Sequence, residues 1–295
     1  MQVEMTSFEQ WQHAVRLTAG RAEMIVVTAV GPRILSLRSG GGQNVLFVDH
    51  EGISRGDWRI YGGHRIWLGP EAEASYAPDN VPCAVDVRDN VVEISAPVDP
   101  LSLLQKVMIV SAEGETFRVR NIIRNTGTTL APCVVWCLTC IRPDAKVCFP
   151  WGRPGQWVMK KICYWQSWCG GGHGSDIRSR QWQPGEDVFV IDPTGEEGKV
   201  GTSGYEGWIC AAFPHAGATL FKRFAYHEGA AYVDEGCALQ CYTCAKFIEL
   251  ESLSPQTVLH PGEQLCHEER FSILPGALDV YDTAAVRRAL AGLPA

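Results

Sequence analysis

TFRVRNIIRN (116–125) is the stretch on which the fold turns. Phe117, Val119 and Asn121 alternate with Arg118, Arg120 and Ile122, the period of two of a strand whose faces meet different surroundings. The polar members imply one solvated or cleft-facing side. Runs of the same kind recur outward from it: LLQKVMIVS (103–111), VVEISA (91–96) and CAVDVRD (83–89) before, CVVWCLTCI (133–141) after. AEMIVVTAV (22–30), RILSLRS (33–39) and NVLFV (44–48) lie further upstream. DVFVID (187–192), GWICAAF (207–213), ATLFKRF (218–224), CALQCYTC (237–244), KFIELESLS (246–254) and ERFSIL (269–274) lie downstream. GG, DN, EGE, NTG and PHAG fall between them, where Gly and Asn tolerate positive φ and Pro fixes it. Many short strands at this spacing predict an all-β antiparallel sandwich. Helix signals are confined to the ends: a short one at FEQWQHA (8–14), and DTAAVRRALAGL (282–293) with Asp282 as N-cap and Gly292 near its end.

The chain has 295 residues, 46% hydrophobic and 20% charged, enough apolar material for one large core. It is read as a single domain over 1–295, with a core of about 16–274 and a C-terminal helix of about 282–291. A net charge of −7 without a Lys/Arg cluster argues against nucleic acid, whose binding needs a basic face. No run approaches the ~18 apolar residues of a membrane span, and MQVEMTSFEQWQHAV lacks the pattern of a signal peptide. With twelve cysteines and no such signal, the expected location is the cytoplasm, with thiols reduced. The pairs Cys137–Cys140 and Cys241–Cys244 have zinc-like spacing but sit in strand-like runs. Residues i and i+3 of a strand face opposite ways, so neither pair chelates one ion as it stands, and no metal is expected.

Residues 151–186 differ in kind. WGRPGQWVMKKICYWQSWCGGGHGSDIRSRQWQPGE holds five of the ten tryptophans around a GGGHG turn. A long aromatic loop is either a cap on one end of the sandwich or a binding element. Trp168 and Trp182 are the rings expected to reach a ligand, and His173 stands in the glycine turn.

Three segments together resemble the galactose mutarotase-like superfamily, and within it an uncharacterised domain family. They are RLTAGRAEMIVVTAVGPRILSLRSGGGQNVLFV (16–48), YGGHRIWLGPEAE (61–73) and GCALQCYTCAKFIELESLSPQTVLHPGEQLCHEERFSI (236–273). The resemblance implies a supersandwich of antiparallel sheets with a sugar cleft on one face. It implies that Glu251, following Leu in a late strand, matches the base of aldose 1-epimerases, and that Arg65 matches their substrate-binding arginine. Where those epimerases carry a histidine after an Asn-Leu-Thr-Asn stretch, VVWCLTCIRP holds Cys140.

Glu249 and Glu251 are two apart on a strand and share a face, so repulsion between them raises one proton affinity, which suits proton transfer near neutrality. Ile248, Leu250 and Leu253 are read as the apolar opposite face. His64 and Arg65, after Gly-Gly and before Pro, are read as a loop, with His64 as a candidate acid and Arg65 either binding substrate or bracing against Glu71 or Glu73. Lys222 and Trp136 complete the substrate-binding set. Lys199 is a further charged candidate, a surface lysine by default. Two functions follow: an aldose 1-epimerase-like isomerase moving protons on a free sugar or sugar derivative without a cofactor, or a non-catalytic carbohydrate binder that lost the acid. In either the partner is a small-molecule sugar or oligosaccharide.

Overall fold

A computed structural model of the chain describes residues 1–153, 157, 159–168 and 174–294. The alternating runs form two large antiparallel sheets packed face to face. The first has the strand order Gln2–Phe8, Trp11–Ala19, Ala22–Val27, Arg33–Ser39, Gly63–Gly69, Ala131–Ile141, Ile248–Leu253, Leu239–Thr243, Gly198–Thr202, Cys163–Tyr164. The second runs Trp182–Pro184, Val188–Ile191, Lys146–Pro150, Trp208–Phe213, Ala218–Phe224, Gln264–Pro275, Thr116–Asn125, Leu104–Glu113, Val91–Ser95, Ala84–Arg88. Alternate residues of both sheets, among them Ile66, Val135, Leu250, Val119 and Phe271, interleave in the main core.

The outer face of each sheet is covered as well. Behind the second sheet, Val286 of the helix Thr283–Ala291 packs with Trp208, Cys210 and Phe221. Asp282 caps that helix by accepting from the Ala285 amide at 2.9 Å. Over the first sheet, Trp58 from the small hairpin Ser54–Arg55/Trp58–Arg59 joins Trp67, Trp136, Leu138 and Phe247 in a separate aromatic cluster.

Two readings of the sequence are corrected here. FEQWQHA forms no helix: Phe8 and Trp11 flank a turn between the first two strands and their rings stack at 6.3 Å. Residues 63–69 are a central strand rather than a loop. Gly62 and Gly63, at φ of 92° and 61°, bring the chain so close to its neighbours that a Cβ would lie 2.2 Å from the Phe47 carbonyl and 2.0 Å from that of Ile34. The Gly-Gly pair delivers the chain into the sheet, and strand parity then sorts every side chain that follows.

Candidate functional site

In Gly63–Gly69 that parity sends Arg65 and Trp67 to the outer face and His64 and Ile66 to the interior. Across the ladder, Arg65 pairs with Leu138, Leu138 with Glu251, Glu251 with Gln240 and Gln240 with Gly201. The next row places Glu249 between Cys140 and Tyr242, and Tyr242 beside Lys199. Five adjacent strands thereby carry one continuous patch of chemistry. Leu253, expected opposite the glutamates, shares their face and packs with Trp136.

Over this patch lies a cleft of about 240 Å³, walled by Trp58, Trp67, Tyr76, Trp136, Trp168 and Tyr242 and carrying Arg55, Arg65, Glu71, Glu197, Lys199 and Glu249. Arg65 is 1% exposed. Its guanidinium is held by the faces of Trp58 and Trp67, at 4.7 and 4.2 Å. It does not brace against Glu71 or Glu73: Glu73 pairs with Arg55 at 2.5 Å and Glu71 accepts from the Tyr76 hydroxyl at 2.6 Å.

Glu251 is fully buried just beneath the floor. Its Oε2 accepts from Trp136 Nε1 at 2.8 Å and from Lys199 Nζ at 3.0 Å, while Oε1 meets no donor among the described residues. Burial, aided by the charge of Glu249, pushes Glu251 up to about 7 against the pull of Lys199 and Trp136. Burial opposes the charge on Lys199 too, but Glu251 wins and raises its proton affinity. Glu249 lines the cleft and accepts from the Cys140 thiol at 3.2 Å.

The remaining expected site residues fall elsewhere. His64 is fully buried between the sheets. Its Nε2–H donates to Asn121 Oδ1 at 3.0 Å and its Nδ1 accepts from the Thr139 hydroxyl at 2.9 Å, a tautomer assigned from the network. Burial lowers it to about 4, so it is neutral and turned away from the cleft. Lys222 shares that interior, its ammonium 2.8 Å from Glu269 and donating to the carbonyls of Cys137 and Leu250 and to Thr139. Burial resists ionisation of Glu269, yet Lys222, His64 and the neighbouring buried His267 hold it down to about 2. His64, Cys137 and Glu269 offer one nitrogen, one sulfur and one oxygen within 4.8 Å of one another, a set into which Lys222 already brings positive charge. Cys137 belongs to this interior and Cys140 to the cleft side, as strand parity requires.

Trp182 lies in the main core, its indole donating to the Asp176 carbonyl at 2.9 Å and its ring filling the space over Gly198. Trp168 lies in the cleft wall, edge-on to Tyr242 at 5.5 Å. His173 falls outside the described residues. Lys199, read as a surface lysine, is 5% exposed in the cleft. A signal for it exists in Gly198-Lys199-Val200-Gly201, where glycines within a strand mark close approach of other groups, here Trp182 and Trp165. Trp67 was findable by parity from Arg65.

No family model and no curated protein matches the sequence. Solved structures do match. A candidate aldose 1-epimerase from Escherichia coli K12 aligns with a TM-score of 0.60 at 11% identity, over 88% of this chain and 98% of that one. A galactose mutarotase-like protein from Clostridium acetobutylicum aligns with a TM-score of 0.57 at 11% identity, over 93% and 98%. A galactose mutarotase related enzyme from Lactobacillus acidophilus gives 0.57 at 8%, over 90% and 99%. The chain has the galactose mutarotase-like fold, an antiparallel supersandwich. Among the described residues no helix is long and apolar enough to cross a membrane.

Proposed function

We propose that the cleft binds a sugar or sugar derivative and that Glu251 exchanges a proton with a ligand hydroxyl, as an aldose 1-epimerase-like isomerase does at the anomeric carbon. The observation that carries this is Glu251 itself: a buried carboxylate brought to about 7, one oxygen fixed by Trp136 and Lys199 and the other without a donor among the described residues. Such a group takes up and releases a proton near neutrality. Glu249 keeps its proton affinity high, Lys199 steadies the charged form, and the aromatic walls offer flat faces to a pyranose ring.

The test is the rate at which the protein interconverts the anomers of free hexoses, read by polarimetry. Glu251→Gln keeps the shape and removes the base, so acceleration falls by about 10²–10⁴-fold while sugar affinity stays within about tenfold. Turnover at the parent rate in that variant removes Glu251 from the role. A second reading, a binder without catalysis, is favoured by Cys140 standing where the resemblance calls for a histidine and by His64 facing the interior. Sugar binding without any acceleration by the parent protein establishes that alternative.

A further inference from the structure

Every other charged side chain lining the cleft has a partner. Lys199 is paired with Glu251 at 3.0 Å and Arg55 with Glu73 at 2.5 Å. Glu71 accepts from Tyr76 at 2.6 Å, Glu197 from the Tyr242 hydroxyl at 2.7 Å, and Glu249 from Cys140 at 3.2 Å. Arg65 is the exception among the described residues. Its Nε and Nη1 are buried and meet no acceptor, although its backbone sits mid-strand in the floor of the cleft. A guanidinium cannot shed its proton to relieve that burial. The tryptophan faces on either side offset part of the cost and hold the plane in place, but they accept no conventional hydrogen bond. No acceptor among the described residues fills that place, which opens onto the cleft.

We propose that Arg65 is the seat of a ligand carboxylate, so that the cleft takes a sugar acid, a uronate or an aldonate, rather than a neutral sugar. This rests on the reading of the cleft as a sugar site and narrows it. A hydroxyl satisfies a donor but adds no negative charge to what nearby Glu249 supplies, whereas a carboxylate brings both a bidentate acceptor and a counter-charge. A phosphate fits less well, because Glu71, Glu197 and Glu249 stand in the same lining and repel a dianion about twice as strongly as a monoanion. Those same carboxylates are suited to accept from the hydroxyls of the ring once the acid group is anchored.

Calorimetric titration of the full chain near neutral pH tests this with D-glucuronate, D-galacturonate and D-gluconate against D-glucose, D-galactose and D-glucose 6-phosphate. At least one acid is expected to bind about tenfold or more tighter than its neutral counterpart, and Arg65→Gln is expected to erase that preference, bringing acid and neutral sugar to within about threefold of each other. The methyl ester of the preferred acid, offered to the parent chain, asks the same question without any substitution and should bind as the neutral sugar does. Equal affinity for acid and neutral sugar overturns the carboxylate seat and leaves the sugar cleft standing. Tighter binding of glucose 6-phosphate than of every acid also overturns it. If neither acids nor neutral sugars bind, the sugar reading falls together with the seat.

Discussion

Both faces of the first sheet border buried charge, and the two sides treat it differently. On the interior face, His64 from Gly63–Gly69 and Thr139 from Ala131–Ile141 meet Asn121, Lys222, Glu269 and Ser252. Their polar atoms are matched, and the carboxylate is held ionised at about 2. On the cleft face of the same sheet, Arg65 and Glu251 are as deeply buried, yet each keeps polar atoms unmatched among the described residues, and the carboxylate sits at about 7. A buried network with its bonds complete serves the fold, whereas unmatched atoms beside a cleft are left for a ligand.

The largest effect that would break this contrast is on stability. Glu269→Gln leaves the Lys222 ammonium buried without its counter-ion, and should cost about 3–5 kcal/mol in urea unfolding. Glu251→Gln, measured near pH 6 where Glu251 mostly holds a proton, should cost less than about 1 kcal/mol. Equal costs for the two variants would mean that both carboxylates are structural.

A smaller effect lies in the pH dependence, and the two faces pull it in opposite directions. His64 and His267, lowered by burial from 6.5 to about 4, stay neutral in the fold, so unfolding takes up protons and their stabilisation is lost as pH falls from 6.5 through 4. Glu251, raised from 4.5 to about 7, holds a proton that the unfolded chain releases, so its contribution is present at low pH and lost as pH rises from 4.5 through 7. Between pH 4.5 and 6.5 unfolding therefore takes up a net of about one proton, a slope of about 1.4 kcal/mol per pH unit. Glu251→Gln should double that slope and His64→Gln should bring it near zero. An unchanged slope in both variants would mean that neither group is perturbed as its burial implies.

Much of the fold could be read because alternation is a local signal. RILSLRS, TFRVRNIIRN and ATLFKRF coincide with Arg33–Ser39, Thr116–Asn125 and Ala218–Phe224. The N-terminal hairpin was hidden because Phe8 and Trp11, three apart, mimic one helical face when they in fact stack across a turn. At the site, the shared face of Glu249 and Glu251 follows from parity alone. Gly-Gly reads as a loop and so groups His64 with Arg65; in a strand, neighbours in sequence must part company. What no local pattern carries is burial of a lysine. Lys199 and Lys222 are indistinguishable from surface lysines until Glu251 and Glu269, respectively 52 and 47 positions on, are brought beside them.

The smallest effect sharpens the comparison within the tryptophan-rich stretch, where Trp168 lies in the cleft wall and Trp182 in the core. Trp168 is half-buried and touches Tyr242 edge-on, so its removal opens a wall without leaving an internal cavity. A flat ring offered to one face of a sugar contributes about 1 kcal/mol, close to a fivefold change in affinity. Trp168→Ala should therefore weaken sugar binding by about that factor and leave the urea midpoint almost unmoved. Trp182→Ala should do the reverse, because its ring fills the space over Gly198 and packs near Phe189. Calorimetric binding and urea unfolding on the two variants decide it: if Trp168→Ala leaves affinity intact, its ring is part of the cap rather than of the cleft.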